Sequence, residues 1–198
     1  NCLNFGNPEK QKIMGEFVEC VYGIKEACEF LDFPVVSGNV SFYNETNTKS
    51  IFPTPVIGGI GVLNNLKKIM NIKTKRPGNL IMVIGKTFGH LNQSAFLQEN
   101  FSICDGPPPE INLINEKNNG LAILELIKEN FILSVHDISS GGILLSLTEM
   151  SMASKLGLKI YKPKKLINPL EYFFGEDQGR YLVEIEKNNL NKIDNFLK

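Results

Sequence analysis

The chain has 198 residues, 42% of them apolar and 21% charged, and its 21 Lys and Arg balance 21 Asp and Glu. That composition excludes a disordered or collagen-like chain, and the length accommodates one large domain or two modest ones. Zero net charge removes the basic footprint of a general nucleic-acid binder, so no nucleic-acid partner is expected. Among the cationic side chains all but Arg76 and Arg180 are Lys. Bidentate arginine clamps on phosphate are therefore scarce, and a bound phosphate has to be met by backbone N–H groups, Lys or a metal ion. Cys2, Cys20, Cys28 and Cys104 form no Cys-x-x-Cys pair, which suits a reducing, cytoplasmic compartment better than a disulfide framework or zinc site. No apolar run approaches the ~18 residues of a membrane span, so no membrane partner is expected. The first residues lack the basic and apolar regions of a signal peptide.

Asn7-Pro8-Glu9 reads as a helix start, with Asn as N-cap and Pro at the first helical position. Ile13, Phe17, Val21, Ile24, Cys28 and Leu31 follow at helical spacing, which predicts an amphipathic helix over 8–31 that Pro34 ends. A strand is expected from Pro34 to Tyr43, and another, bent, from Ile51 to Leu63. The Lys-rich stretch from Asn64 to Gly78 reads as a linker, dividing the chain into 1–75 and 76–198. Leu80–Ile84 reads as a short buried strand, and 86–116 as polar and irregular around Gly106-Pro107-Pro108-Pro109. Leu121, Leu124, Ile127 and Phe131 mark a second helix, and Ile132–Val135 a strand that stops at His136-Asp137. Ser139-Ser140-Gly141-Gly142 opens a third helix with Leu144, Leu147 and Met150 inward, and Leu158–Tyr161 and Tyr181–Ile185 are further strands. Lys162, Lys164 and Lys165 read as a solvated surface run. Helices and strands alternate, so the fold class is α/β or α+β.

Three motifs concentrate chemistry-bearing residues. Ser37-Gly38-Asn39-Val40-Ser41-Phe42-Tyr43-Asn44-Glu45 is either a polar strand-to-turn junction or a ligand site. In the second case Gly38 lets backbone approach a phosphate, Asn39 offers a neutral oxygen to a hard cation, and Ser41 bonds a polar substrate. His136-Asp137-Ile138-Ser139-Ser140-Gly141-Gly142 resembles part of a Ser–His–Asp triad, but adjacent strand residues point to opposite faces. Its alternatives are a helix cap built from Asp137, Ser139 or Ser140, and a helix N-terminus facing an anion. Phe174-Gly175-Glu176-Asp177-Gln178-Gly179-Arg180 reads as a turn held by a local Glu–Arg contact or as a pair of acids on a metal. Phe88-Gly89-His90 is not followed by Lys-Ser/Thr, so it is no Walker A loop.

These segments, with Asn1-Cys2-Leu3-Asn4-Phe5-Gly6-Asn7-Pro8 and Pro53-Thr54-Pro55-Val56-Ile57-Gly58, occur in an order that closely resembles the phosphoribosylformylglycinamidine synthase family. The resemblance spans essentially the whole chain and falls on the second half of the large ATP-dependent subunit, within the superfamily that includes aminoimidazole ribonucleotide synthase. It implies a partial N-terminal-type α/β domain over 1–75, for nucleotide and substrate. A C-terminal-type α+β domain over 76–198 follows, lacking its last strands. The Asn1 start without Met then reads as a cut through a larger enzyme. The implied reaction uses ATP to phosphorylate the amide oxygen of formylglycinamide ribonucleotide, after which glutamine-derived ammonia displaces phosphate and leaves the amidine. By the same resemblance Gly38 is an ATP contact, Asn39 a Mg²⁺ ligand and Ser41 a substrate contact. Asn1 stands where many members have an Asp that contacts ATP, keeping an acceptor without its charge. Ser140 replaces the acid often found inside the His-Asp-x-Ser-x-Gly-Gly motif. No catalytic residue falls in this chain, since the family's principal histidine and most metal-binding acids lie in the first half. Implied partners are that first half, a glutaminase subunit and a small accessory subunit, and the exposed strands predict a homodimer of the isolated chain. The competing reading is a non-catalytic nucleotide-binding or structural module.

Overall fold

The computed structural model describes residues 1–161 and 168–197. The expected surface run at Lys162, Lys164 and Lys165 lies outside the described residues. Two compact units make up the chain, Asn1–Asn64 and Asn65–Lys198.

In the first unit β1 (Cys2–Asn4) is the central strand of a small sheet, with helix α1 (Gln11–Leu31) following it. It pairs in parallel with β2 (Asn39–Ser41) and antiparallel with β5 (Thr54–Val56). A two-stranded hairpin, β3 (Glu45–Thr46) and β4 (Lys49–Ser50), projects between them. Its loop residues Asn47 and Thr48 both have positive φ, as a two-residue type I′ turn requires. Both predicted strands of this unit shrink to three residues, because β1 offers each neighbour only three positions to pair with. The helix starts later than expected. Asn7 Oδ1 accepts from the Glu9 N–H at 2.9 Å, closing a turn one step before the helix, and Lys10 stands at its N-cap position with no side-chain cap. Leu3, Phe5 and Ile13 form the buried core, packed by Phe17 and Phe42. Edge-to-face contacts join Phe5 to Phe17 at 5.3 Å and Phe17 to Phe42 at 5.0 Å.

The second unit is built on the sheet β6 (Leu80–Ile84), β8 (Arg180–Ile185) and β7 (Ile132–Ile138), with β8 in the middle and antiparallel to both neighbours. The alternation of β8 feeds two cores. On one side Val183 and Ile185 meet Ile123 and Leu126 of α3 (Leu113–Lys128) and Ile193 of α6 (Leu190–Phe196). On the other, Leu182 meets Ile143, Leu147 and Met150 of α4 (Gly142–Ser154). Each fully buried aliphatic side chain contributes ~1.5–3 kcal/mol of transfer free energy. Helices α2 (Ala95–Phe101) and α5 (Pro169–Phe174) complete the unit.

Several expectations for this unit change. The segment 86–116 is not irregular throughout: Ser94 Oγ accepts from Leu97 N–H and starts α2, and Asn112 Oδ1 accepts from Asn115 N–H and starts α3. Within α3 the inward residues are Ile123 and Leu126, while Leu121 and Leu124 are exposed. The strand expected to stop at His136 continues through Asp137 to Ile138, because β8 pairs with it to Arg180. Leu158–Tyr161 is not a strand. The third helix buries Leu147 and Met150 as expected, but Leu144 is only half-buried and Ile143 takes the inward place.

The Lys-rich stretch is bound firmly into this unit. Lys68 Nζ donates to the Ile127 and Lys128 carbonyls and Asn130 Oδ1, capping the C-terminus of α3. Glu184, fully buried in β8, accepts from the backbone N–H groups of Lys75 and Arg76, from Asn79 Nδ2 and from Ser134 Oγ. A buried carboxylate is tolerable only when so supplied with donors.

Candidate functional site

Strand pairing in the first unit gathers the residues singled out in the sequence. The Asn1 α-amino group donates to the Ser37 carbonyl at 2.9 Å, and the Asn39 N–H donates to the Asn1 carbonyl at 3.1 Å. Gly38 lies so close to Asn1 that a Cβ added there would collide with Asn1 Oδ1 and come within 2.8 Å of its Cγ. The close approach that glycine permits is therefore taken up by the Asn1 carboxamide. Beside Asn1 opens a cavity of about 280 Å³, lined by Ile24, Cys28, Val35, Val36 and Ile57 among others.

In register, Leu3 lies beside Val40, Cys2 beside Asn39, and Asn4 between Ser41 and Thr54. Leu3 is buried against α1, so the alternation of strands puts Asn39 and Ser41 on the opposite face with Cys2, Asn4 and Thr54. Sequence reasoning missed Asn4, whose Nδ2 donates to the Thr54 carbonyl at 3.2 Å. Its signal is the period of two that it shares with Cys2. The Ser41 hydroxyl accepts from Asn44 Nδ2 at 3.1 Å, and the same amide donates to the carbonyls of Ser41 and Phe5. Asn44 thus holds the turn after β2 in place.

As a place for Mg²⁺, this face supplies Asn39 as one exposed, neutral oxygen ligand. Glu45, the nearest acid in sequence, is already paired with Lys10 at 2.9 Å. No group of three His, Cys, Asp or Glu side chains converges among the described residues. Mg²⁺ normally takes carboxylates, phosphate oxygens and waters, so Asn39 fits as one contributor to a set completed by a nucleotide and by other acids.

The two motifs of the second unit resolve into positioning devices. Asp177 is buried, and its carboxylate accepts from three successive N–H groups: Phe88 and Gly89 at 2.9 Å and His90 at 3.1 Å. Glu176 Oε1 accepts from the Ala95 N–H at 2.8 Å and the Gly141 N–H at 2.7 Å, binding the starts of α2 and α4 to one carboxylate. Arg180, also buried, donates to the carbonyls of Asp177 and Gly175 and to Thr87 Oγ1. Burial pushes the Arg180 guanidinium below its ordinary value, with the Asp177 charge opposing that shift. The expected local Glu–Arg contact is replaced by an Asp–Arg pair, 3.6 Å apart, and both acids are spent on backbone donors.

At the other motif, α4 is capped by neither Asp137, Ser139 nor Ser140. Gly141, at φ 75°, takes the N-cap position without a side-chain bond, and its N–H goes to Glu176. Asp137 does reach His136, against the opposite-face expectation: Oδ1 lies 3.2 Å from Nδ1, while Glu149 Oε2 lies 2.8 Å from Nε2. On an edge strand the exposed Asp137 side chain is free to swing round to its neighbour. Among the described residues no serine hydroxyl bonds His136, and Ser146 Oγ donates instead to backbone carbonyls.

Residues 76–198 match the family model for the AIR synthase related protein, C-terminal domain, and residues 1–63 that for its N-terminal domain. Among curated proteins, the chain is 52% identical over its full length to phosphoribosylformylglycinamidine synthase subunit PurL of Pelagibacter ubique, covering 27% of that protein. It is 49% identical over 189 residues to the PurL subunit of Azorhizobium caulinodans, covering 94% of this chain and 25% of that protein. The chain therefore spans about a quarter of the length of these relatives. Among solved structures, T. maritima PurL complexed with FGAR superposes with a TM-score of 0.65 at 16% identity, over 97% of this chain and 32% of that one. The HypE–HypF complex gives a TM-score of 0.66 at 18% identity, over 100% of this chain and 65% of that one. At these identities the likeness is one of fold.

Proposed function

The chain belongs to the AIR synthase related protein family, and on that premise we propose that it is part of a phosphoribosylformylglycinamidine synthase. In this reading the first unit carries nucleotide and substrate contacts: Asn1 and Gly38 toward ATP, Asn39 toward Mg²⁺ and Ser41 toward formylglycinamide ribonucleotide. The observation that carries it is the pairing of β1 with β2, which seats Asn1 against Gly38 and puts Asn39 and Ser41 side by side on one polar face. ATP, when bound, supplies the phosphoryl group that activates the substrate amide oxygen. The residues of this chain bind and orient: the Asn1 carboxamide, for which Gly38 makes room, offers its polar atoms to the nucleotide, Asn39 lends a neutral oxygen to the cation, and the Ser41 hydroxyl offers a hydrogen bond to substrate.

The remaining machinery belongs, in this proposal, to the rest of the subunit, with ammonia supplied by a glutaminase subunit and a small accessory subunit completing a cytoplasmic assembly. Val36, Phe52, Ile60 and Val62, each at least 87% exposed, favour association through the first unit. A homodimer of the isolated chain is expected in sedimentation, and a clean micromolar monomer overturns that part. Calorimetry with Mg-ADP tests the site. Binding should weaken at least about tenfold in Asn39→Ala, and binding insensitive to Asn39 refutes the assignment. With ATP, ammonia and substrate the chain alone should not turn over, and robust turnover refutes the fragment reading.

A further inference from the structure

The second unit holds a small pocket of about 290 Å³, apart from the residues proposed for nucleotide and substrate, lined in part by Lys86, Phe88, His90, Glu116, Asn119 and Gln178. Its walls are fixed. The loop 88–90 is clamped by the three N–H bonds to buried Asp177, and the Glu176 N–H donates to the His90 carbonyl at 2.9 Å. His90 Nε2 lies 2.9 Å from the Pro107 carbonyl, which only accepts, so this nitrogen donates, and in the tautomer that this bond selects Nδ1 is the acceptor. Opposite, the Asn119 Nδ2 donates to the Gly179 carbonyl at 2.8 Å, one turn along α3 from Glu116. The Glu116 carboxylate lies over Gly179, where a Cβ would come within 3.0 Å of it. Only a residue without a side chain leaves room for that carboxylate.

Such rigid walls, held by buried charges, are what a preorganised site requires. The chemistry left free is specific. Among the described residues the Glu116 carboxylate has no hydrogen-bond or ion-pair partner, and burial pushes it above its ordinary value of 4.5. Lys86 Nζ sits 4.5 Å above the Phe88 ring centroid and has no carboxylate partner among the described residues. A half-buried acid, Glu116, and a cation, Lys86, thus line one pocket without pairing to each other, with the exposed Glu110 a second acid in the lining. A ligand that satisfies both has to carry a positive donor group at one end and an anionic acceptor at the other, within a volume at the small end of ligand sites.

We propose that this pocket binds a small zwitterion of the amino-acid class, its ammonium on Glu116 and His90 Nδ1 and its carboxylate on Lys86. The proposal is independent of the nucleotide reading. Its test is an amide NMR titration of the ¹⁵N-labelled chain with glycine and a panel of L-amino acids, using methylammonium chloride and sodium acetate as single-charge controls. At least one amino acid should give saturable shifts of the Phe88, Gly89 and His90 amides, with both controls at least about tenfold weaker. Glu116→Gln and Lys86→Met should each weaken that binding by a similar factor and leave distant amides in place. Where Glu116→Gln disturbs the whole spectrum, Glu116→Asp serves, since shortening the acid keeps its charge and should still weaken binding. The proposal fails if no amino acid shifts these amides, if a single-charge control binds as well, or if the variants bind like the parent.

Discussion

The first unit seats one helix on one face of a three-stranded sheet, with Leu3, Phe5 and Ile13 as its buried apolar residues. The second covers both faces of its sheet and closes two separate cores. The first leaves a polar face of Cys2, Asn4, Asn39, Ser41 and Thr54 open, and Val36, Phe52, Ile60 and Val62 exposed. The second buries Asp177, Arg180 and Glu184 and spends their hydrogen-bonding capacity on its own backbone and side chains. One unit presents its chemistry outward, and the other uses its charges to fix its own loops. The charge-rich motif of Glu176, Asp177 and Arg180 thus serves the fold, while the amides and hydroxyls of the first unit stay out of its apolar core.

Removing an internal charge from the second unit should have the largest effect. Asp177→Ala strands buried Arg180 and three N–H groups, and should cost ~3–5 kcal/mol in urea unfolding followed by circular dichroism. A loss below about 1 kcal/mol would show that the clamp is not the keystone of this unit. Next comes the apolar core: Leu126→Ala, at a side chain with 0% exposure, should cost ~2–5 kcal/mol by the same measurement. In the first unit, Gly38→Ala forces the Asn1 carboxamide aside. It should cost ~1–3 kcal/mol, with weaker Mg-ADP binding in calorimetry as the sharper readout.

Glu116→Gln should have the smallest effect, and a pH-dependent one. The folded carboxyl holds its proton more tightly than the unfolded one. The stability it contributes is fully present below its ordinary value of 4.5 and is lost as pH rises through the raised folded value. The Gln variant should match the parent in acid and melt slightly higher than it near neutrality, by calorimetric Tm across pH. A variant that melts lower at neutral pH would mean that Glu116 has a stabilising partner after all.

Much of the element order was legible. Ile13, Phe17 and Ile24 recur at helical spacing and all face the first core. Leu80–Ile84 reads as a strand and is one, and Ser139 to Gly142 opens a helix where expected. What escaped were the short helix α2 and the start of the expected helix α3, each signalled by a single cap. Ser94 and Asn112 each start a helix, yet both flank the Gly106-Pro107-Pro108-Pro109 break that made the whole region look irregular. At the candidate site, the identities of Asn1, Gly38, Asn39 and Ser41 stood out in the sequence. Their grouping into a contact and a shared face did not, because Asn1 and Gly38 are brought together by pairing between distant strands.

By itself, the sequence determined most of the local elements, the kinship of the chain and the residue types at the polar face. All of these depend on spacing within a turn or a strand, or on motifs read in order. The tertiary structure alone decided what each charge does. Asp177 takes its donors from residues 87 to 89 positions away and Glu176 from one 81 positions away. A buried carboxylate has to find donors wherever the fold brings backbone N–H groups to it, and no local pattern records which ones those are.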